Sequence, residues 1–408
     1  MLEPKIDSSD DLTLNTTNEP KIQSINQLRA PIVRRAKIAL FFLGLLNNSG
    51  YVIVLSASAD LADRFHQEKL MSLFSGSLVF FSIGVKMISA WFLLKLYHKM
   101  RIGVAIAFFF LGLSSIILAL RVENFELALL GSLFLGMGGS FGDSSIQGFM
   151  KAFPPETFVG YSSGTGGAGV FGSFYYLLLK IYDFDVSKIF LFLFPAYVLY
   201  YFCFSYLIRL KVRLDATVRI ASVESDIVEG KEAHINEELS LSVIPIILRK
   251  LWFYSLNFGL VYFFEYSIFG YLAETASLKF TGDLFTMKYL FLVIQCVYQI
   301  GVFIARSSLQ LFKISKIQYL TLIQCFLFIL WILFATVIYA SEYVLIGAVL
   351  MVGFVAGLTY VNTIYMILED ERILKMEKEV SLNINGMAAD LGVICSSVSG
   401  FVFKQFVH

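Results

Sequence analysis

Eleven apolar stretches, each about as long as a helix that crosses a bilayer, fill most of this 408-residue chain. They run approximately over Ile38–Ser58, Leu70–Leu94, Ile102–Leu120, Phe125–Phe149, Phe158–Leu179, Ile189–Ile208, Leu248–Tyr271, Tyr289–Leu311, Ile317–Ala340, Tyr343–Leu368 and Val380–Phe403. A hydrocarbon core of about 30 Å needs roughly 20 such residues as a helix. Only helices and closed barrels satisfy their backbone inside lipid, and these runs are far too long for barrel strands. The expected fold is an all-α polytopic membrane protein. A composition of 57% hydrophobic and only 15% charged residues leaves no room for a large water-soluble fold.

A charged or amide side chain placed in a bilayer costs about 2.5 kcal/mol or more unless it faces protein or water. Those left inside the stretches are unevenly placed. Spans 1, 4, 7 and 10 carry Asn47 and Asn48, Asp143, Glu265 and Asn362. Every third helix would therefore line a shared aqueous cavity. Spans 2, 5, 8 and 11 carry Lys86, the run Ser162–Gly169 with Ser163 and Thr165, Gln295 with Gln299, and Asp390. Spans 3, 6 and 9 hold no internal charge and one notable amide, Gln324. This census matches the layout of a major-facilitator bundle, with cavity-lining, interface and outer helices. Here that bundle has eleven transmembrane helices in two halves.

The expected organisation is a polar, disordered cytosolic tail over 1–36, a six-helix half over 37–210, a cytosolic linker over 211–247 and a five-helix half over 248–408. Lysine and arginine set the orientation. With the N-terminus in the cytosol, 21 basic residues near the membrane lie on the cytosolic side and 8 on the other, which satisfies the positive-inside rule. His408 then falls on the lumenal side. No apolar segment near Met1 reads as a cleavable signal, so the first span acts as its own anchor. Two very short turns, Arg121–Asn124 and Ser341–Glu342, predict antiparallel neighbours.

Each polar group has a plain alternative to a functional role. Glu265 sits among aromatics in Val261-Tyr-Phe-Phe-Glu-Tyr-Ser267; it either exchanges a proton, is held in a permanent pair with Lys86, or anchors a helix end. Lys86 lies too deep to snorkel, and either holds an anionic solute group or neutralises Asp143 or Glu265. Gly136–Gly142 predicts a bent or broken helix before Asp143, although glycines also permit close packing. Ser162–Gly169 contains a formal G-x-G-x-x-G, but no strand precedes it, so dinucleotide binding is rejected on context. Arg306 is either a membrane-surface arginine or a bidentate grip on phosphate or carboxylate. Asp390 pairs with Arg306 or lines the path, and Asn362 lines the path or caps a broken helix. The four cysteines and four histidines show no metal-ligand spacing, and no catalytic pattern stands out. No cofactor is expected.

Taken together, Leu43-Gly-Leu-Leu-Asn-Asn48, Tyr51-Val-Ile-Val-Leu-Ser-Ala57, Tyr161-Ser-Ser-Gly-Thr-Gly-Gly-Ala-Gly169, Val261-Tyr-Phe-Phe-Glu-Tyr266, Tyr298-Gln-Ile-Gly-Val-Phe303, Arg306-Ser-Ser-Leu309 and Tyr360-Val-Asn-Thr363 resemble the battenin family in collinear order. The resemblance covers about Ala36 to Phe403. It implies a major-facilitator-like fold in a lysosomal or vacuolar membrane, with roles in organelle pH and in export of small metabolites. Basic amino acids and glycerophosphodiesters are the implied cargo. It carries family positions onto Lys86, Asp143, Glu265 and Arg306. The chain departs from the family where an acid and a proline before the lysine are replaced by Leu78 and Phe81. A C-terminal prenylation cysteine, a lumenal sequon and a clear acidic dileucine signal are not seen.

Two functions follow. One is a proton-linked transporter of small polar solutes, whose partners are membrane lipid, the solute and protons. The other is a non-transporting scaffold that binds cytosolic trafficking proteins through its tail and linker. Neither reading is enzymatic or involves nucleic acid. Intramembrane charge on cavity-type helices favours the first, because a scaffold has no need to carry its cost.

Overall fold

The computed structural model describes residues 19–91, 97–150, 152–223, 244–279, 284–309, 311, 313–374 and 377–407. Every regular element among them is helical, and the protein is an all-α polytopic membrane protein. Span 1 is α1 (Glu19–Arg64). Span 2 is split into α2 (Leu73–Phe80) and α3 (Ser82–Trp91). Then come α4 (His98–Val122), α5 (Phe125–Met150) and α6 (Phe158–Ile181) as spans 3 to 5. Span 6 is α7 (Val186–Leu191) followed by α8 (Phe194–Val223). Span 7 is α9 (Ile244–Ser267), a π turn over Ile268–Leu272, and α10 (Ala273–Leu278). Spans 8 to 11 are α11 (Leu284–Ser307), α12 (Ile317–Thr336), α13 (Glu342–Glu369) and α14 (Lys378–Val407).

Nine helices among the described residues are long and apolar enough to cross a membrane. The two remaining spans are explained locally. Span 2 is interrupted at Phe81, just beyond a turn where Ser75 and Ser77 donate to the carbonyls of Ser72 and Phe74. Hydroxyls bonded back to the backbone compete with the helical ladder. Span 5 is one 24-residue helix, long enough at 1.5 Å per residue to cross but diluted by its serines and glycines.

Several expectations are corrected. The segment 19–36 is the first part of α1 and so is not disordered there, and 211–223 of the linker continues α8 as helix. Residues 1–18 and 224–243 lie outside the described residues. The glycine-rich part of span 4 does not break the helix. It lies within the continuous helix α5, where its glycines allow contact: a Cβ on Gly138 would sit 2.8 Å from the Phe109 ring. The connection between spans 9 and 10 covers 337–341 rather than two residues. The turn between spans 3 and 4 is as tight as expected. Glu123 takes a left-handed φ of 52°, and Asn124 Oδ1 accepts from Leu127 N at 2.7 Å, which caps α5.

The first six spans meet the last five along two seams, span 2 against span 11 and span 5 against span 8. Within the halves, spans 1 and 5 are packed backbone to backbone. A Cβ on Gly44 would lie 2.6 Å from Tyr161 O, and one on Gly164 would overlap the backbone of Phe41. The loop between spans 10 and 11 is pinned to span 7. Asp370 Oδ2 accepts from Arg372 Nη2 at 2.5 Å and from the Tyr254 hydroxyl at 3.1 Å, and Lys250 Nζ donates to Glu377 Oε2 at 2.8 Å. The Arg372 fork holds the Asp370 carboxyl down to about 2.

Candidate functional site: a polar cavity between the halves

A cavity of about 180 Å³ lies between the two halves. Spans 1, 2, 4, 5, 7, 8, 10 and 11 contribute its lining; none of its lining residues comes from spans 3, 6 or 9. The interface helices therefore share the wall with the expected lining helices. Asn47, Asn48, Lys86, Asp143, Thr165, Glu265, Gln299, Arg306 and Asp390 are all lining residues. The sequence scattered them over 344 positions, and the fold gathers them.

Two expected residues are not in the lining. Ser163 is half-buried on α6, one residue before the glycine that faces Phe41. Asn362 is buried and spent on backbone: its Nδ2 donates to Leu358 O at 2.9 Å, and its Oδ1 accepts from Ile314 N at 2.7 Å. It fixes the connection after span 8 instead of facing solute.

The first cluster surrounds Asp143. Asn47 Nδ2 donates to Asp143 Oδ1 at 2.7 Å and to Gly139 O at 3.1 Å. Tyr161 donates to the same carboxylate oxygen. Asn47 Oδ1 accepts in turn from the Tyr200 hydroxyl at 2.9 Å. Spans 1, 4, 5 and 6 thus meet at one carboxylate, oriented by two donors that converge on one of its oxygens.

The second cluster repeats the device in the other half. Tyr298 donates to Glu265 Oε1, and Glu265 is buried at 4% exposure. An aromatic wall adjoins it: Tyr262 and Tyr266 stack at 5.9 Å, and Phe269 and Tyr298 lie 4.4 Å apart.

The third element is a pair of cations, one on each seam. Lys86 Nζ lies 2.6 Å from Asp390 Oδ2 and 3.3 Å from Gly386 O, with side-chain exposures of 14% and 9% for the ion pair. Lys86 pairs with neither Asp143 nor Glu265, and Asp390 lines the cavity instead of pairing with Arg306, because span 11 presents Asp390 directly across the seam to Lys86, where Gly386 leaves room for the ammonium. Arg306 is no surface arginine. Its guanidinium lies 3.9 Å over the Tyr360 ring, and its Nη1 donates to Thr165 Oγ1 at 3.0 Å. Among the described residues its buried Nε has no hydrogen-bond partner. Among the described residues no carboxylate forms an ion pair with it.

Tyr161, Tyr200, Tyr298 and Tyr360 were missed by residue-by-residue reading, since tyrosine in a span reads as ordinary core or interface. A signal was present nonetheless. Tyr51, Tyr161, Tyr266, Tyr298 and Tyr360 each begin or end one of the family-like stretches.

An all-helical bundle with a charged cavity between two halves defines a polytopic membrane protein with a polar internal cavity. The profile of the CLN3 protein family matches residues 38–407, and the chain belongs to that family. Similar proteins include Battenin of Dictyostelium discoideum, 29% identical over 385 residues with 87% of this chain and 91% of the relative covered. Protein BTN1 of Saccharomyces cerevisiae is 27% identical, with 88% and 92% covered. Protein btn1 of Schizosaccharomyces pombe is 26% identical, with 93% and 96% covered.

Proposed function

We propose that this protein carries small polar metabolites across a lysosomal or vacuolar membrane, linked to protons and supporting organelle pH, with its N-terminus cytosolic and its C-terminus lumenal. The observation that supports this most is Arg306. It is a cation in the wall of an internal cavity, seated on an aromatic ring and a hydroxyl, and among the described residues no carboxylate lies within ion-pair distance of it. Arginine left in that state is a ready fork for a phosphate or carboxylate. Across the same cavity stand two carboxylates, Asp143 and Glu265, each held by a tyrosine on one oxygen. With Lys86 and Asp390 satisfying each other, the charge left for a solute is one cation and two acids. A zwitterion complements this set: a phosphodiester with a cationic end, or a basic amino acid whose carboxylate meets Arg306 and whose amines meet the acids.

Flux into reconstituted vesicles decides the matter, measured with a panel of basic amino acids and glycerophosphodiesters under an imposed pH gradient. Saturable uptake of a zwitterion, lost in Arg306→Met, is the expected result. No uptake of any panel member by protein shown to be folded would favour the scaffold reading, in which tail and linker bind cytosolic proteins.

A further inference from the structure

Helices α1 and α8 are longer than the roughly 20 residues a bilayer needs, and both run past it at the end of the bundle where the chain begins. Ala36 of α1 and Leu207, Leu210 and Leu214 of α8 are buried in one hydrophobic core, so these extensions are packed parts of the fold. Spans 1 and 6 are antiparallel. Their register is fixed deeper in the membrane, where the Tyr200 hydroxyl donates to Asn47 Oδ1 and a Cβ on Gly50 would strike the Tyr197 hydroxyl. Extended outward residue for residue, that register sets Val33 at the height of Leu214, both buried, and Arg34 at the height of Arg213.

The outward faces of the two helices change character together. On α8, Phe202 and Tyr206 are exposed where lipid lies, and Arg209 and Arg213 continue their row at helical spacing. On α1, Ile38 and Phe42 are exposed in the same way, and Arg34 lies one turn before Ile38 with Arg35 beside it. Tyrosine marks the boundary of the hydrocarbon. At 1.5 Å per residue Arg209 and Arg213 stand roughly 4.5 and 10 Å beyond Tyr206, in and just past a headgroup layer about 5–7 Å deep.

All four arginines are exposed, and among the described residues none of them forms an ion pair. The lysines interleaved with them are spent: Lys37 lies 3.7 Å from Glu156 and Lys211 lies 3.4 Å from Asp215. On the other half, Lys250 is held by Glu377 and Arg372 by Asp370. The charge left over on spans 1 and 6 is therefore arginine, whose planar fork grips phosphate oxygens in pairs where lysine offers a point charge. Four such forks exceed what a singly charged headgroup can use and suit one that bears several phosphate charges.

We propose that Arg34 and Arg35 of α1, with Arg209 and Arg213 of α8, form a binding site for an anionic lipid whose headgroup carries phosphate monoesters, a phosphoinositide, in the leaflet at that end. On the orientation given above this is the cytosolic leaflet, where clustered basic residues beside a span meet anionic lipid. The site does not depend on the transport reading.

The test uses the full-length protein in detergent, titrated with dioctanoyl phosphatidylinositol bisphosphate and, separately, with dioctanoyl phosphatidylserine. Native mass spectrometry counts the bound copies. One phosphoinositide per chain is expected, held at least tenfold more tightly than the serine lipid. Arg34→Gln with Arg35→Gln, and Arg209→Gln with Arg213→Gln, should each weaken it tenfold or more, because both helices hold one headgroup. Lys99→Gln with Arg249→Gln removes the same charge from exposed positions elsewhere at this end and should leave the affinity within about twofold. Changing all four arginines to lysine keeps the charge and discards the forks. It should abolish the preference over the serine lipid at an unchanged melting temperature, which separates lost coordination from misfolding. Equal affinity for the two lipids, equal weakening by the Lys99 and Arg249 changes, or full affinity after loss of either arginine pair overturns the site. Equally tight binding of free inositol trisphosphate overturns it too, since the arginines would then serve a soluble phosphate and not a lipid.

Discussion

Lys86 and Asp390 neutralise one another at 2.6 Å across the seam between spans 2 and 11, inside a cavity wall where neither is more than 14% exposed. The sequence places them 304 positions apart with nothing to link them. Their pairing removes Lys86 as the first choice for holding an anionic solute and transfers that role to Arg306, on the other seam. It also makes Lys86 hazardous to mutate, since its loss strands a buried acid.

Lys86→Met should lower stability by about 3–5 kcal/mol, the usual effect of removing one member of a buried pair. Lys86→Met combined with Asp390→Asn should recover most of that loss. Thermal melting of the purified protein reads both values. Equal melting temperatures for the single and double variants would mean that the two residues do not act as a pair.

Arg306→Lys keeps the charge and discards the fork and the stacked plane over Tyr360. Affinity for an anionic or zwitterionic solute should fall about tenfold or more, roughly 1.4 kcal/mol per decade, with little change in folding. Concentration dependence of uptake supplies the measurement. Unaltered affinity would show that Arg306 is bound to its own wall and not to solute.

Glu265→Gln preserves the shape of the protonated acid and still offers an oxygen to Tyr298. Transport by this variant should lose its response to the pH gradient while the melting temperature changes little. A pH profile identical to that of the unaltered protein would make the Glu265–Tyr298 bond purely structural.

Asp370 gives a pH prediction outside the membrane. Its folded value, about 2, lies below that of an unpaired carboxyl. Its contribution is therefore complete above the ordinary carboxylate range and is lost only as pH falls towards 2. Asp370→Asn should lower the melting temperature by the same amount at pH 5 and pH 7.5. A difference that disappears at pH 5 would contradict the assignment of the Arg372 fork as its cause.

The all-helical membrane architecture, and the gathering of nine of the eleven candidate residues in one cavity wall, could be read from the sequence, because polar residues in lipid leave few alternatives for their placement, whereas the division between lining and seam helices could not, since spans 2, 5, 8 and 11 share the wall. Pairing could not. Lys86 was read against two acids, Asp143 and Glu265, and only the register of span 11 against span 2 selects Asp390. Asn362 shows the opposite case: a polar residue on a lining-type helix is consumed by an amide at Ile314, a partner 48 positions away. Lys404, 1% exposed, was invisible as a buried group because position at the end of a span ordinarily means exposure.

The backbone contact between spans 1 and 5 has a mechanical consequence. With Gly44 against Tyr161 O and Gly164 against Phe41, no side chain separates the two backbones at these points, so sliding of one helix on the other is sterically resisted there. They form a single beam. Asn47, which orients Asp143, and Thr165, which holds Arg306, are mounted on that beam. Any tilt that carries Thr165 away from the guanidinium must displace Asn47 in the same stroke, so the acid cluster and the arginine are geared together through rigid backbone even though no bond joins them.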